Sequence, residues 1–224
     1  MDWSGEWWVL ILGPGLVILV VGVLYFTRSR AFRFRSAAAQ LGFISLQGLS
    51  PISEEDKKGF HLFSRGSGGR ITNLFGDRVN SPSRLLFDFA DSFGVPPQDS
   101  ATCQQTVAAF AAPESGIPEF QMIPAIKSAG APLSMGPQPI RFDSHPDFAR
   151  RYSLRASNQT AIRAFFNPSL LERLMALDPE AEWAVEIAGR WLLVYRHNQF
   201  FAPNAIPESW QRPQALANLF LESH

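Results

Sequence analysis

The sequence predicts an α+β chain: an N-terminal transmembrane helix, then a mainly antiparallel sheet domain able to close into a barrel, with a few packed helices. Three observations predict it. Trp7–Phe26 carries no charged residue over its whole length. From residue 60 onward, short apolar runs alternate with clusters of Gly, Pro, Asn, Asp and Ser, with no long helix between them, which is the pattern of an antiparallel meander. The last third adds capped helical segments and a hairpin. The expected organisation is a short extracytoplasmic N-terminus at 1–6, the transmembrane helix at 7–26, a basic juxtamembrane helix and linker at 27–59, and a cytoplasmic α+β domain at 60–224.

The first element rests on length and charge. About twenty helical residues span about 30 Å, the hydrocarbon thickness of a bilayer. A cleaved signal peptide fits poorly, because Asp2 and Glu6 replace a basic leader and the small residues Ala37–Ala39 lie beyond four arginines. A soluble core helix fits poorly too, since the run has no polar stripe. Arg28, Arg30, Arg33 and Arg35 follow the span and no Lys or Arg precedes it. The positive-inside rule then sets the short N-terminus outside and residues 27–224 in the cytoplasm. The expected membrane-interface residues are Trp7, Trp8, Tyr25, Arg28, Arg30, Arg33 and Arg35, and the lipid bilayer is the first expected partner. The juxtamembrane helix is expected to stop at Gly42.

Residues 43–59 read as a solvated connector; the alternative is that Ser53 caps one short helical turn with Asp56 at the third position. Strands are expected at Phe60–Ser64, Ile71–Gly76, Arg84–Phe93, Cys103–Ala112 and Phe120–Ile126, with the glycine-rich Arg65–Arg70 and the Asp77–Ser83 stretch as turns. Residues 127–139 read as a surface loop. Ile140–Phe142 and Tyr152–Ala156 are further strands, and Ser144 starts a helix with Pro146 in its first turn. Helices are expected at Asn158–Phe166 and Ser169–Ala176. The clearest hairpin is Trp183–Ala188 with Trp191–Arg196 around Gly189. Pro207–Leu221 closes the chain as an amphipathic helix. The count is about seven strands and three or four helices.

Composition excludes some functions. Lys+Arg and Asp+Glu are both 20, so the chain is neutral, which argues against nucleic acid as a partner. One cysteine, Cys103, excludes an intrachain disulfide and a multi-cysteine zinc site. The four histidines, His61, His145, His197 and His224, show no metal-ligand spacing, and no metal or cofactor is expected. Gly66–Arg70 lacks the Gly-Lys-Ser/Thr end of a phosphate loop, and no GxSxG elbow occurs. Asp88 and Asp91 fall on opposite faces of a strand and form no carboxylate pair. The phenylalanines of FHLF, NLF, LLFDF and AAF read as core.

The motifs NLFGD, LLFDFAD, QTVAAF, IPEFQMIPA, DFARRYSLRA, IRAFFNPSLLERL and WLLVYR, in that order, resemble a group of uncharacterised bacterial single-pass membrane proteins with a cytoplasmic domain of unknown function. The resemblance implies a bacterial plasma-membrane address and brings no site residues. The expected function is therefore a non-enzymatic, membrane-anchored binding module for a protein partner or the membrane surface. Two alternatives stand beside it: a small-molecule sensor with a Phe-lined cavity, and an enzyme whose site converges from Asp88, His145, Arg151 or Glu186.

Overall fold

The computed structural model describes residues 30–64, 69–93, 101–112, 116–125 and 138–222. The strands are β1 Ile44–Ser45, β2 Arg70–Gly76, β3 Arg84–Phe93, β4 Ala101–Ala111, β5 Phe120–Pro124, β6 Tyr152–Arg155, β7 Trp183–Ala188 and β8 Trp191–Arg196. They form one sheet in the order β1-β2-β3-β4-β8-β7-β5-β6, with every pairing antiparallel. The β7–β8 hairpin inserts beside β4, so the expected simple meander is corrected. The barrel is corrected as well, because β1 and β6 end the order and the sheet stays open.

Successive side chains of a strand point to opposite faces, so two cores form. One face is thick. It carries α1 (residues 30–40), α4 (Pro146–Arg151), α5 (Gln159–Phe165), α6 (Pro168–Leu177), the short α7 (Ile206–Ser209) and α8 (Gln211–Leu221). Phe34, Phe148, Ile162, Leu174, Leu216 and Phe220 from these helices meet Leu86, Phe110, Met122, Leu154, Val185 and Val194 from the strands. The Phe120, Phe165, Phe166 and Phe220 rings sit with centroids 5.0 to 6.5 Å apart. Tilted and edge-on pairs of this kind add to simple burial, which stabilises by about 1.5–3 kcal/mol per large side chain.

The other face is thin. Its cover is the segment from Leu46 to Phe63, with α2 (Glu54–Gly59) and α3 (His61–Ser64). Leu46, Ile52, Phe60 and Leu62 pack on Leu85, Phe87, Phe89, Val107, Leu193 and Tyr195. The cover lies close to the sheet because Gly59 has no side chain; a Cβ there would come within 2.6 Å of the Ala188 Cβ.

Local chemistry explains the ends of these elements. In α1 the buried positions are Phe34, Ala37 and Ala38, the i, i+3, i+4 spacing of one helix side. The helix ends in a Schellman motif: Gly42 adopts φ +76°, its N–H donates to Ala39, and the Phe43 N–H donates to Ala38. Ser53 and Asp56 form a full capping box at α2, where the solvated connector was the expectation. Asn158 and Asn167 cap α5 and α6 through bonds to Ala161 and Leu170. Phe60–Ser64 departs from expectation. Most of it is the one-turn helix α3, because Phe60 and Leu62 point down into the thin-face core while His61 accommodates a buried carboxylate with its backbone N–H.

The membrane part of the sequence reading is corrected. None of the helices among the described residues is long and apolar enough to cross a membrane. The longest, such as the 11-residue α8, reach about 17 Å and keep one side on the sheet. Among the described residues the expected transmembrane helix, single-pass topology and plasma-membrane location with a cytoplasmic domain therefore have no support. The expected span at 7–26 lies outside the described residues.

A candidate binding groove at the edge of the thin face

The groove follows from how β1 ends. β1 pairs only with Gly76 and Phe75 of β2. One more bond, Leu46 N–H to the Leu74 carbonyl at 2.9 Å, continues the contact. The chain then turns at Gln47 and Gly48, where Gly48 has φ +89°. It leaves the edge and returns through the buried Ile52 to the cap of α2. Among the described residues, the outer edge of β2 from Arg70 to Asn73 is therefore without a partner strand. The gap between this edge, the 47–52 loop and α2–α3 is a groove of about 700 Å³. That volume lies in the usual range for binding sites.

Its lining is mixed. Ile52, Phe63, Ile71, Leu74 and Phe89 are apolar, and Phe63 meets Phe89 edge-on with centroids 5.1 Å apart. Lys57, Lys58 and Arg70 line it as cations, against Glu54 as the one acidic group in the lining. Lys57 is already paired with Glu54 at 2.6 Å. Lys58 and Arg70 are exposed and make no ion pair among the described residues.

The far side of β2 is held by a buried polar network. A bulge between Thr72 and Phe75 puts Asn73 at φ +49°, and its amide donates to Asp88 Oδ2 at 2.9 Å. Asp88 also accepts from Thr106 Oγ1 at 2.6 Å and from Arg30 Nη2 at 3.1 and 3.2 Å. Arg30 donates on to the Phe201 carbonyl at 3.1 Å and lies 4.4 Å from the Phe200 ring centroid. The result ties α1, β2, β3, β4 and the 200–201 turn together. Arg30 here serves as a structural counter-ion to a buried carboxylate. Arg33 and Arg35 lie on the exposed side of α1. Trp7, Trp8, Tyr25 and Arg28 lie outside the described residues.

Other candidate residues are placed apart. Glu186 is on the thin face, where it accepts from Tyr195 Oη at 2.5 Å and from the His61 N–H at 2.6 Å. Asp88 is on the thick face. His145 sits beside Ser144 at 2.9 Å, and Arg151 donates to the Met175 carbonyl at 3.3 Å. Asp88, His145, Arg151 and Glu186 line neither the groove nor the second concavity described below. Cys103 is buried, 3.0 Å from Gln105 Oε1 and 4.0 Å from His197 Nε2. Asp178 accepts from the buried Tyr152 Oη at 2.6 Å. Burial, and then that carboxylate, push the Tyr152 phenol well above its ordinary range. No group of three or more His, Cys, Asp or Glu among the described residues could hold a metal. A second concavity, between α6 and α8, is lined by Arg173, Leu177, Arg212 and Leu219 and is more open.

The groove was hidden in the sequence. Its residues come from a stretch that reads as a solvated connector and from the start of a strand. A local sign was the apolar Leu46, Leu49 and Ile52 recurring every third residue among polar and turn residues.

No protein-family model matches the chain, and no curated protein matches it. Among solved structures the fold is similar to the crystal structure of the mycobacterial trehalose monomycolate transport factor A, TtfA. The TM-score is 0.56 at 14% identity, over 88% of this chain and 94% of that one. At this identity the likeness is one of fold.

Proposed function

We propose that this chain is a binding module that holds a polypeptide partner in the groove beside β2. The observation that carries the reading is the open strand edge facing a mixed, partly apolar lining. Two further points support it. The residues of a convergent catalytic site, Asp88, His145, Arg151 and Glu186, are dispersed and engaged in structural bonds. The rings of the Phe-rich thick face pack on one another, and those of Phe120, Phe166 and Phe220 line neither of the two concavities described above. The protein of similar fold is described as a transport factor, a description compatible with binding.

The test is site-specific photo-crosslinking of the full chain in its native cells. A crosslinker at Leu49, which is 49% exposed beside the groove, is compared with one at Glu172 on the thick face. A defined adduct from position 49 that is absent from position 172 is the expected result. Equal capture from both positions, or capture only from 172, would sink the reading.

A further inference from the structure

We infer that the groove takes its partner as an extended acidic segment that adds a strand to the outer edge of β2 at Arg70–Asn73. This rests on the binding reading above and sharpens it.

The edge itself is the first argument. β1 occupies only the Phe75–Gly76 end of β2, and the bulge at Asn73 marks where pairing stops. Arg70 to Asn73 are exposed or half-buried, and one side of their backbone faces the groove. An unpaired row of N–H and C=O groups is a template for another strand. Four residues of edge at about 3.3 Å each match a segment of about five residues. Affinity would come from main-chain bonds and specificity from alternate side chains.

The lining is the second argument. One face of an added strand would lie against the α2–α3 side, where Ile52 and Phe63 are apolar. Its other face would look outward beside Arg70. Side chains alternate along a strand, so the segment that fits has apolar residues at every second position.

Charge is the third argument and sets the occupant. Three cations face one carboxylate in the lining, and the Glu54–Lys57 pair leaves Lys58 and Arg70 without an ion pair among the described residues. Acidic side chains at the outward and rim positions complement them. The same charges disfavour the edge of a second copy of this chain, which would bring Arg70 and Lys58 against their own kind.

The probes are capped heptapeptides: Thr-Glu-Val-Glu-Val-Glu-Thr, its lysine counterpart, and two forms of the acidic peptide N-methylated along one backbone edge or the other. Binding to the full chain is read by fluorescence anisotropy at low salt. The acidic peptide is expected to bind at least about tenfold more tightly than the lysine peptide. Methylation of one edge should abolish binding and methylation of the other should leave it, because an added strand uses one edge. Lys58→Glu with Arg70→Glu should reverse the preference. Both side chains are exposed and make no ion pair among the described residues, so the variant folds, as circular dichroism would check. Absence of acidic-peptide binding up to about 1 mM overturns the inference. So does equal loss with either methylated edge, or indifference to the charge reversal. Displacement of the peptide by phosphatidylglycerol vesicles through Lys58 and Arg70 would assign the cations to an anionic surface instead. If the crosslinker at Leu49 captures a protein while methylation has no effect, groove binding stands and strand addition falls.

Discussion

The two faces of the sheet divide the work of the molecule. The thick face carries α1, α4–α6, α7 and α8 and a continuous aromatic cluster. Among the described residues the thin face is covered by one segment, Leu46–Phe63, that fits between the β1 edge and the β7–β8 hairpin and stops short of the start of β2. Redundant packing on one side lets the other leave an edge open. Binding surfaces tend to come from the less protected parts of a fold.

That comparison is easiest to break at the aromatic cluster. Phe166 is 1% exposed, and its ring touches those of Phe120, Phe148 and Phe220. Phe166→Ala is expected to cost about 3–5 kcal/mol in urea unfolding. Phe63→Ala, at a half-buried site on the thin face, should cost less than about 2 kcal/mol and yet remove peptide binding. Equal costs would mean the faces do not differ as described.

The polar network on the thick face comes next. Arg30→Ala leaves Asp88 buried without its counter-ion, and the expected cost is about 3 kcal/mol, since Arg30 itself is partly exposed. Pairing Arg30→Met with Asp88→Asn should recover part of that loss, and a double variant no more stable than Arg30→Ala would contradict the ion-pair account. Asn73 shares the same carboxylate, so the single variant should also weaken binding in the groove.

A smaller effect tests the thin cover. Gly59→Ala puts a Cβ against Ala188, and overpacking of this kind costs about 1–3 kcal/mol. Faster proteolysis between residues 47 and 64, with the thick face still protected, is the expected readout.

The smallest effect is in pH. Burial pushes the Asp77 carboxyl up, but hydrogen bonds from the Ser83 hydroxyl and the Ser83 and Arg84 N–H groups, with the Arg84 charge, outweigh it and hold the pKa below its ordinary value. A folded pKa below the unfolded one gives stability that is present above the ordinary carboxylate pKa of about 4 and is lost as pH falls through the lowered folded pKa. Asp77→Asn should flatten that part of the acid unfolding curve. An unchanged acid limb would exclude Asp77 as its source.

Much of the sheet was legible because its signals are local. Arg84–Phe93 and the hairpin of Trp183–Ala188 with Trp191–Arg196 match their predicted bounds, since each is a β-rich run between turn formers. Gly42, Ser53, Asn158 and Asn167 marked helix ends through capping chemistry that acts within a few residues. The order of the strands was not legible, because pairing β4 with β8 joins residues about eighty positions apart. The contact of Arg30 with Asp88 was hidden for the same reason. Beside other arginines Arg30 looks like part of a basic flank, and only the fold brings it to Asp88, 58 positions away. The groove is the hardest case. It depends on β1 being two residues long, and no local pattern in Phe43–Ser50 fixes that length.

The central claim is that β2 binds through its open edge, and amide hydrogen exchange with and without the acidic heptapeptide tests it most directly. Bound peptide should slow exchange at Arg70–Asn73 and leave the amides of α5, α6 and α8 unchanged. Protection that appears on those thick-face helices while Arg70–Asn73 exchange as before would contradict the account.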